Sequence, residues 1–313
     1  MRALSKFVQV LPRLQPFCIS AAMSAEVSRP TEFADISKIT WSKFSYKLTD
    51  LVNDPHIPLQ VPSQAALVQL HLTDSILPFA SASSILDIAC GPGTVYSTLL
   101  DSSITLNPNA PLLGNDISPS MIANLHETIA SHPNDPRWTR VHAIVEDATS
   151  MTSIPSSSQS HVLSALGICN IPSSDAALLE VRRVMAPCGV FSMTSIAKAA
   201  WMTDVMGILG NFYPTRAVPF TSAKWRTKEG FAAELERNGF VDVLVEEAEL
   251  RMGFASPEEI VETLWRVLPF IPSLTEGMRR DEIEGVKDAQ VRFVRETYPD
   301  GILPGMALVG VAR

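Results

Sequence analysis

A chain of 313 residues, 46% hydrophobic and 19% charged, can bury a large core, which argues against wholesale disorder or a fibrous repeat. Its net charge of −8 and its lack of any Lys/Arg-rich run leave nothing to neutralise phosphates, so DNA and RNA are poor partners. The four cysteines, Cys18, Cys90, Cys169 and Cys188, form no CxxC pair, which speaks against a zinc site or a disulfide framework and fits a reducing, cytoplasmic setting.

The first 22 residues contain no acid, and Arg2, Lys6 and Arg13 oppose Leu4, Phe7, Val8, Leu11 and Leu14 on a helical wheel. That pattern reads either as a mitochondrial presequence or as a flexible extension over residues 1–30, ahead of an alternative start at Met23. No apolar run reaches the ~18–20 residues that a membrane-spanning helix needs. Cap helices are expected over about 36–80, in a stretch that holds Trp41, Tyr46 and His56.

From residue 84 to 196 short apolar runs alternate with helical patterns, as in a parallel sheet covered on both faces. Strands are expected at 85–89, 111–116, 141–147, 161–167 and 190–196. Ser118 and Pro119 open a helix whose apolar face carries Ile122, Leu125 and Ile129. Ser174 and Asp175 open another, bearing Ala177, Leu178, Val181 and Val184 and stopping near Pro187 and Gly189. Residues 153–160 read as a Ser/Pro-rich loop.

Beyond the fifth strand, 198–212 reads as one helix that is apolar nearly all round, so protein or ligand must cover it; a lid is the preferred reading. A charged amphipathic helix is expected at 227–238, a strand at 241–250, a capping-box helix start at Ser256, Pro257 and Glu259, and a last strand at 306–311.

The segment that carries chemistry is Ile85-Leu86-Asp87-Ile88-Ala89-Cys90-Gly91-Pro92-Gly93-Thr94. A strand that ends in an acid and a glycine turn lets backbone approach a ligand closely, because Gly91 and Gly93 have no Cβ to block it. A second acid, Asp116, ends the next strand 29 residues after Asp87, where a carboxylate can accept hydrogen bonds from both hydroxyls of a ribose. A third, Asp147, follows Glu146 after strand three and could accept a bond from an exocyclic adenine amine, with the small Ala148 letting backbone reach the ring; a solvated turn is the alternative.

Together with Glu180-Val181-Arg182-Arg183-Val184-Met185-Ala186-Pro187-Cys188-Gly189-Val190, these residues resemble class I S-adenosylmethionine-dependent methyltransferases, and within them the small-molecule branch of fungal secondary-metabolite and sterol-type enzymes. The resemblance implies an α/β fold: a Rossmann-like, mostly parallel seven-stranded sheet of order 3-2-1-4-5-7-6, helices on both faces and a helical lid. Residues 31–313 would form the methyltransferase domain, with lid insertions at about 198–222 and 255–297. Asp87, Gly91 and Gly93 would line the methionine half of the cofactor, with Ala89 at the motif's first glycine position. Asp116 and Ile117 would take the ribose and one adenine face, Met121 would lie near that ring, and Asp147 with Ala148 would hold its edge. Ala165 and Leu166 would sit beside the methionine moiety, and Tyr46 is similar to an aromatic that closes over the cofactor.

The implied activity is methyl transfer to a small apolar or aromatic metabolite, a class suggested by the Met, Trp and Phe content of the lid, whose alternative reading is core packing. No catalytic base stands out: His71, His126 and His142 read as surface or packing residues, and His56 is a weak candidate. No carboxylate-rich metal set can be assembled by spacing, and oligomeric state is not legible. Cys90 reads as a packing residue rather than a nucleophile. Three rivals remain at this level. They are a nicotinamide-dependent oxidoreductase, which would want a third glycine where Tyr96 stands, a methyltransferase-like regulatory protein, and a relative that has drifted to another reaction such as a cyclisation.

Overall fold

The computed structural model describes residue 32 and residues 61–313. Trp41, Tyr46, His56, the acid-free N-terminus and most of the expected cap-helix stretch lie outside the described residues.

The core is a seven-stranded sheet of order β3-β2-β1-β4-β5-β7-β6. Its strands are β1 (Ile85–Ile88), β2 (Leu112–Asp116), β3 (Val141–Val145), β4 (Gln159–Ser164), β5 (Met185–Ala199), β6 (Leu244–Gly253) and β7 (Ile302–Ala312). The first five pair in parallel, and β7 runs antiparallel to both β5 and β6. β1 is buried at every position and β4 at all but one, because helices cover both faces, and this is why those strands read as apolar runs.

One face is covered by α1 (Val61–Ile76), α2 (Thr94–Asp101) and α3 (Pro119–Ala130), whose Leu70, Tyr96, Leu99 and Leu125 pack on Ile85, Leu112 and Leu163. The other is covered by α4 (Ser174–Val184) and, after the short α5 (Ile208–Phe212), by α6 (Lys228–Arg237), whose Leu178, Val181, Phe231 and Leu235 meet Leu86, Val162 and Phe191. Each buried Leu, Ile or Phe contributes roughly 1.5–3 kcal/mol. Ser118 caps α3 as expected, its Oγ accepting from Met121 N at 3.3 Å.

Strand and helix ends depart from the sequence reading where hydrogen-bond partners decide them. Met185 already pairs with Gln159, so α4 ends at Val184 and β5 begins before Pro187. At its far end β5 continues to Ala199 because β7 pairs with it as far as Gly305. The single helix expected at 198–212 is therefore corrected: Lys198 and Ala199 belong to the strand, Trp201–Met206 form a π-helical turn, and α5 follows. Two further shifts are smaller. β6 lies three residues later than expected, and Glu259 at α7 (Pro257–Val267) reaches the Ala255 N–H rather than that of the N-cap Ser256.

The apolar surface of this π-turn is covered by protein. Val205, Met206 and Leu209 join one cluster with α7, α8 (Ile271–Leu274), α9 (Arg280–Thr297) and the distal halves of β6 and β7. Two polar links hold the turn in register. Gln290 of α9 donates from Nε2 to the Val205 carbonyl at 3.0 Å while its Oε1 accepts the Trp265 indole N–H at 2.6 Å, and the Tyr298 hydroxyl donates to Asp204 at 2.5 Å. Burial and the Asp204 carboxylate push the Tyr298 phenol up. At the free edge of β6, the Gln64 amide of α1 accepts from Arg251 N at 2.8 Å and donates to Arg251 O at 2.9 Å.

Replacing Gln290 with Leu removes both of its buried bonds and leaves the indole N–H without that acceptor. The expected loss is about 2 kcal/mol of folding stability, to be read from chemical denaturation of the variant against the parent chain.

Candidate functional site

Between β1 and α2 the chain turns sharply through three left-handed residues, Ala89 (φ 52°), Gly91 (φ 53°) and Gly93 (φ 92°). Gly93 precedes α2 with no side-chain cap, so the first N–H groups of that helix face the carboxyl edge of the sheet. A Cβ at Gly93 would lie 2.5 Å from Leu125 Cδ1, so the position needs glycine for space as well as for its φ. Ala89 keeps a methyl group in the left-handed region, and that methyl is accommodated because residue 167 is glycine: a Cβ there would stand 2.8 Å from the Ala89 Cβ. Gly93→Ala is expected to cost about 2–4 kcal/mol, from the left-handed backbone and the clash with Leu125 together, measured by urea denaturation.

Asp116, at the tip of β2, binds this turn to its neighbours. One carboxylate oxygen accepts Gly91 N at 3.0 Å and the other accepts Ser118 N at 2.8 Å, while the Asp116 carbonyl accepts Glu146 N from the next strand at 3.0 Å. Burial raises the Asp116 pKa, opposed by the Ser118 and Gly91 bonds. Each oxygen keeps a further lone pair for a ligand hydroxyl. Ile117, half-buried, follows directly, and Met121 Sδ lies about 4.0 Å from where a Gly91 Cβ would be.

Asp87, at the tip of β1, is fully buried and neither of its oxygens has a hydrogen-bond partner among the described residues. Burial, and then the nearby Asp116 charge, push its carboxyl well above the usual range. Asn115, on the adjacent strand end, is likewise fully buried with both side-chain polar atoms unpartnered. Unsatisfied buried polar groups cost roughly 1–3 kcal/mol each, so their concentration at one sheet edge is a property of a ligand site rather than of a finished core. A carboxyl whose folded pKa is raised binds protons more tightly in the folded state. Its stability contribution is therefore lost as pH climbs from about 4 through the raised value. Asp87→Asn should accordingly make the ligand-free protein more stable at pH 7, with the gap closing towards pH 4, as read from denaturation midpoints across that range.

The remaining expected residues fall along the same edge with less convergence. Asp147 is exposed and turned onto Thr149, whose N–H and hydroxyl both reach Asp147 Oδ1 at 2.8 Å, while Ala148 beside it is buried. Glu146 points away, accepting from Thr152 and Ser153. Past β4, Ala165 and Leu166 are half-buried, and Leu166 holds a left-handed φ of 55° with its N–H donated to Thr194 Oγ1 at 2.9 Å. Asn170, just after them, donates to the Leu166 carbonyl at 2.7 Å and leaves its Oδ1 buried and unpartnered. Asn115 and Asn170 were missed from sequence, although an Asn inside the apolar run of β2 was a visible signal.

Three other sequence readings resolve here. Cys90 is buried against Gly114, and burial pushes its thiol well up, which suits packing and not nucleophilic attack. Tyr96 fills the place of a third glycine, its hydroxyl donated to the Leu113 carbonyl at 2.7 Å and 3.1 Å from that of Ile85, so the position is taken up by packing of α2 on the sheet. His71, His126 and His142 are exposed, whereas His161, not considered from sequence, is buried at the other end of the sheet, stacked on Phe79. Among the described residues no cluster of three His, Cys, Asp or Glu could hold a metal ion, and no helix is long and apolar enough to cross a membrane.

Comparison with known proteins agrees with this geometry. Residues 85–189, from β1 to the start of β5, match the methyltransferase domain family. Methyltransferase ucsB of Acremonium sp is 28% identical over 263 residues, covering 81% of this chain and 88% of its own. Methyltransferase tpcH of Aspergillus fumigatus is 27% identical over 242 residues, covering 73% and 84%. The [4+2]-cyclase SpnF shares the fold at a TM-score of 0.53 and 16% identity, over 91% of this chain and 98% of that one. Residues 85–189 are thus a methyltransferase domain that opens on the Asp87 strand and glycine turn, set in a sheet of order 3-2-1-4-5-7-6, the arrangement of class I S-adenosylmethionine-dependent methyltransferases.

Proposed function

We propose that S-adenosylmethionine lies across the tips of β1 to β4 and that the acceptor is a small apolar or aromatic metabolite. The observation that carries the cofactor placement is Asp87, a carboxylate buried without a partner among the described residues, beside a glycine turn. A cationic group brought to that edge would offset its desolvation, which fits the ammonium of the cofactor's methionine half. Ala89, Gly91 and Gly93 would shape the wall there, with Ala165 and Leu166 on the β4 side. Asp116 has lone pairs left for the ribose hydroxyls after holding Gly91 and Ser118, and Ile117 and Met121 would face the adenine. For Asp147, the oxygen not taken up by Thr149 would reach the adenine amine, with Ala148 beneath.

Bound S-adenosylmethionine supplies a methyl group that is already activated. The work left to the chain is to hold the acceptor in line and to keep water out. The segments 198–222 and 255–297 would serve as the cap that does this. No side chain here is assigned as a base, since the exposed histidines have no contact that singles one out.

Asp116→Ala should weaken S-adenosylmethionine binding by about 1.5–3 kcal/mol, the range for charge-assisted hydrogen bonds, in calorimetry on a variant first checked to be folded. The reading as a whole is tested by incubating the purified protein with methyl-labelled S-adenosylmethionine and a metabolite extract and following label by mass spectrometry. Binding of NAD without S-adenosylmethionine, or retention of the label on the cofactor throughout, would overturn it.

A further inference from the structure

β5 outruns its parallel neighbour. β4 ends where Ser164 pairs with Met193, but β5 continues from Met193 to Ala199, roughly 20 Å further along the strand direction, before the π-turn begins. The turn is thereby carried out from the same carboxyl edge at which Asp87 and Asp116 sit. Against it lies a cavity of ≈ 270 Å³ lined by Met202, Thr203 and Gly207 of the turn and its end, Gly210 of α5, and Val218 and Phe220 of the loop that follows. That volume is near the lower end of small-molecule sites.

The lining is chemically selective. Gly207 and Gly210 are three residues apart, on one side of the chain, and leave a flat strip without side chains. Met202 and Phe220 offer an adaptable thioether and a ring. The polar part comes from Arg216 and from Thr203, whose hydroxyl lies 3.0 Å from Ala199 O and 2.7 Å from Asp204 Oδ1. With its single proton committed to these oxygens, Thr203 Oγ1 is left to accept from a ligand.

The two glycines differ in a way that makes the cavity testable. A Cβ at Gly207 would fall 2.1 Å from the Thr203 carbonyl, so that glycine is demanded by the turn itself. A Cβ at Gly210 would meet nothing within 4 Å among the described residues, and the space it leaves belongs to the cavity.

We infer that this cavity is a binding site separate from the cofactor edge and that it takes a compact, flat aromatic ring bearing a hydroxyl group, laid on the Gly207–Gly210 strip with the hydroxyl donated to Thr203. The inference rests on the cavity's own geometry and not on the methyl-transfer reading.

The test uses the full chain with 2-naphthol as the probe, titrated by ligand-observed NMR, and S-adenosylmethionine titrated separately by calorimetry. Wild type binds 2-naphthol. Gly210→Leu, which fills open space, lowers that affinity at least tenfold with cofactor affinity unchanged, and Gly210→Ala gives a smaller loss in a variant that adds only one methyl group. Thr203→Val, which keeps the shape and removes the hydroxyl, weakens 2-naphthol several-fold. Failure of wild type to bind 2-naphthol, or binding to Gly210→Leu at the wild-type level, overturns the inference. Absence of S-adenosylmethionine binding to wild type would instead sink the methyl-transfer reading, leaving the cavity's ligand to be decided by the naphthol titrations alone.

Discussion

The carboxylate of Asp116 is the tie on which the site depends. By accepting from Gly91 on one side and Ser118 on the other, it fixes the glycine turn after β1 to the start of α3, and its own carbonyl anchors the beginning of the chain after β3. Three connections that leave the sheet at different strands are thus held by one residue. The carboxylate is itself largely desolvated, so those two N–H bonds are worth more than they would be at the surface. Beside it the chain keeps Asp87, which has no such compensation among the described residues, and the pair leaves the sheet edge electrostatically incomplete.

Much of this was legible in the sequence because parallel strands covered on both faces must be apolar and because the acids stand where those runs stop. Asp87 and Asp116 were found by that logic. Asp147 has the same sequence signature but is exposed and bonded to Thr149, since a carboxylate at the end of an edge strand can equally well close a local turn. Asn115 and Asn170 carry no strong motif, and their significance lies in bonds they do not make, which only packing reveals.

The region past residue 196 was the least legible, for a physical reason. A nearly all-apolar stretch such as 198–212 has no clear period to separate helix from strand, and the decision fell to a partner more than a hundred residues away, β7, which draws Lys198 and Ala199 into the sheet. Within the remainder, the first turn takes π geometry, with the Gly207 N–H donated to the Met202 carbonyl five residues back. Gln290 from α9 meets the Val205 carbonyl there, a contact that depends on long-range packing of α7 and α9. The cavity against that turn is assembled from the same long-range choices.

The side chain of Gln64 has an effect that reaches beyond stability. Its amide presents one donor and one acceptor to the backbone of Arg251, as a neighbouring peptide unit would, on a strand that ends the sheet. Along that stretch β6 is occupied by an imitation of an eighth strand, and the outward-facing Glu246, Glu247 and Glu249 add like charge along the same strand. A second polypeptide seeking to extend the sheet there would have to displace the glutamine and crowd its own charges against three acids, so self-association by strand addition is discouraged at this border.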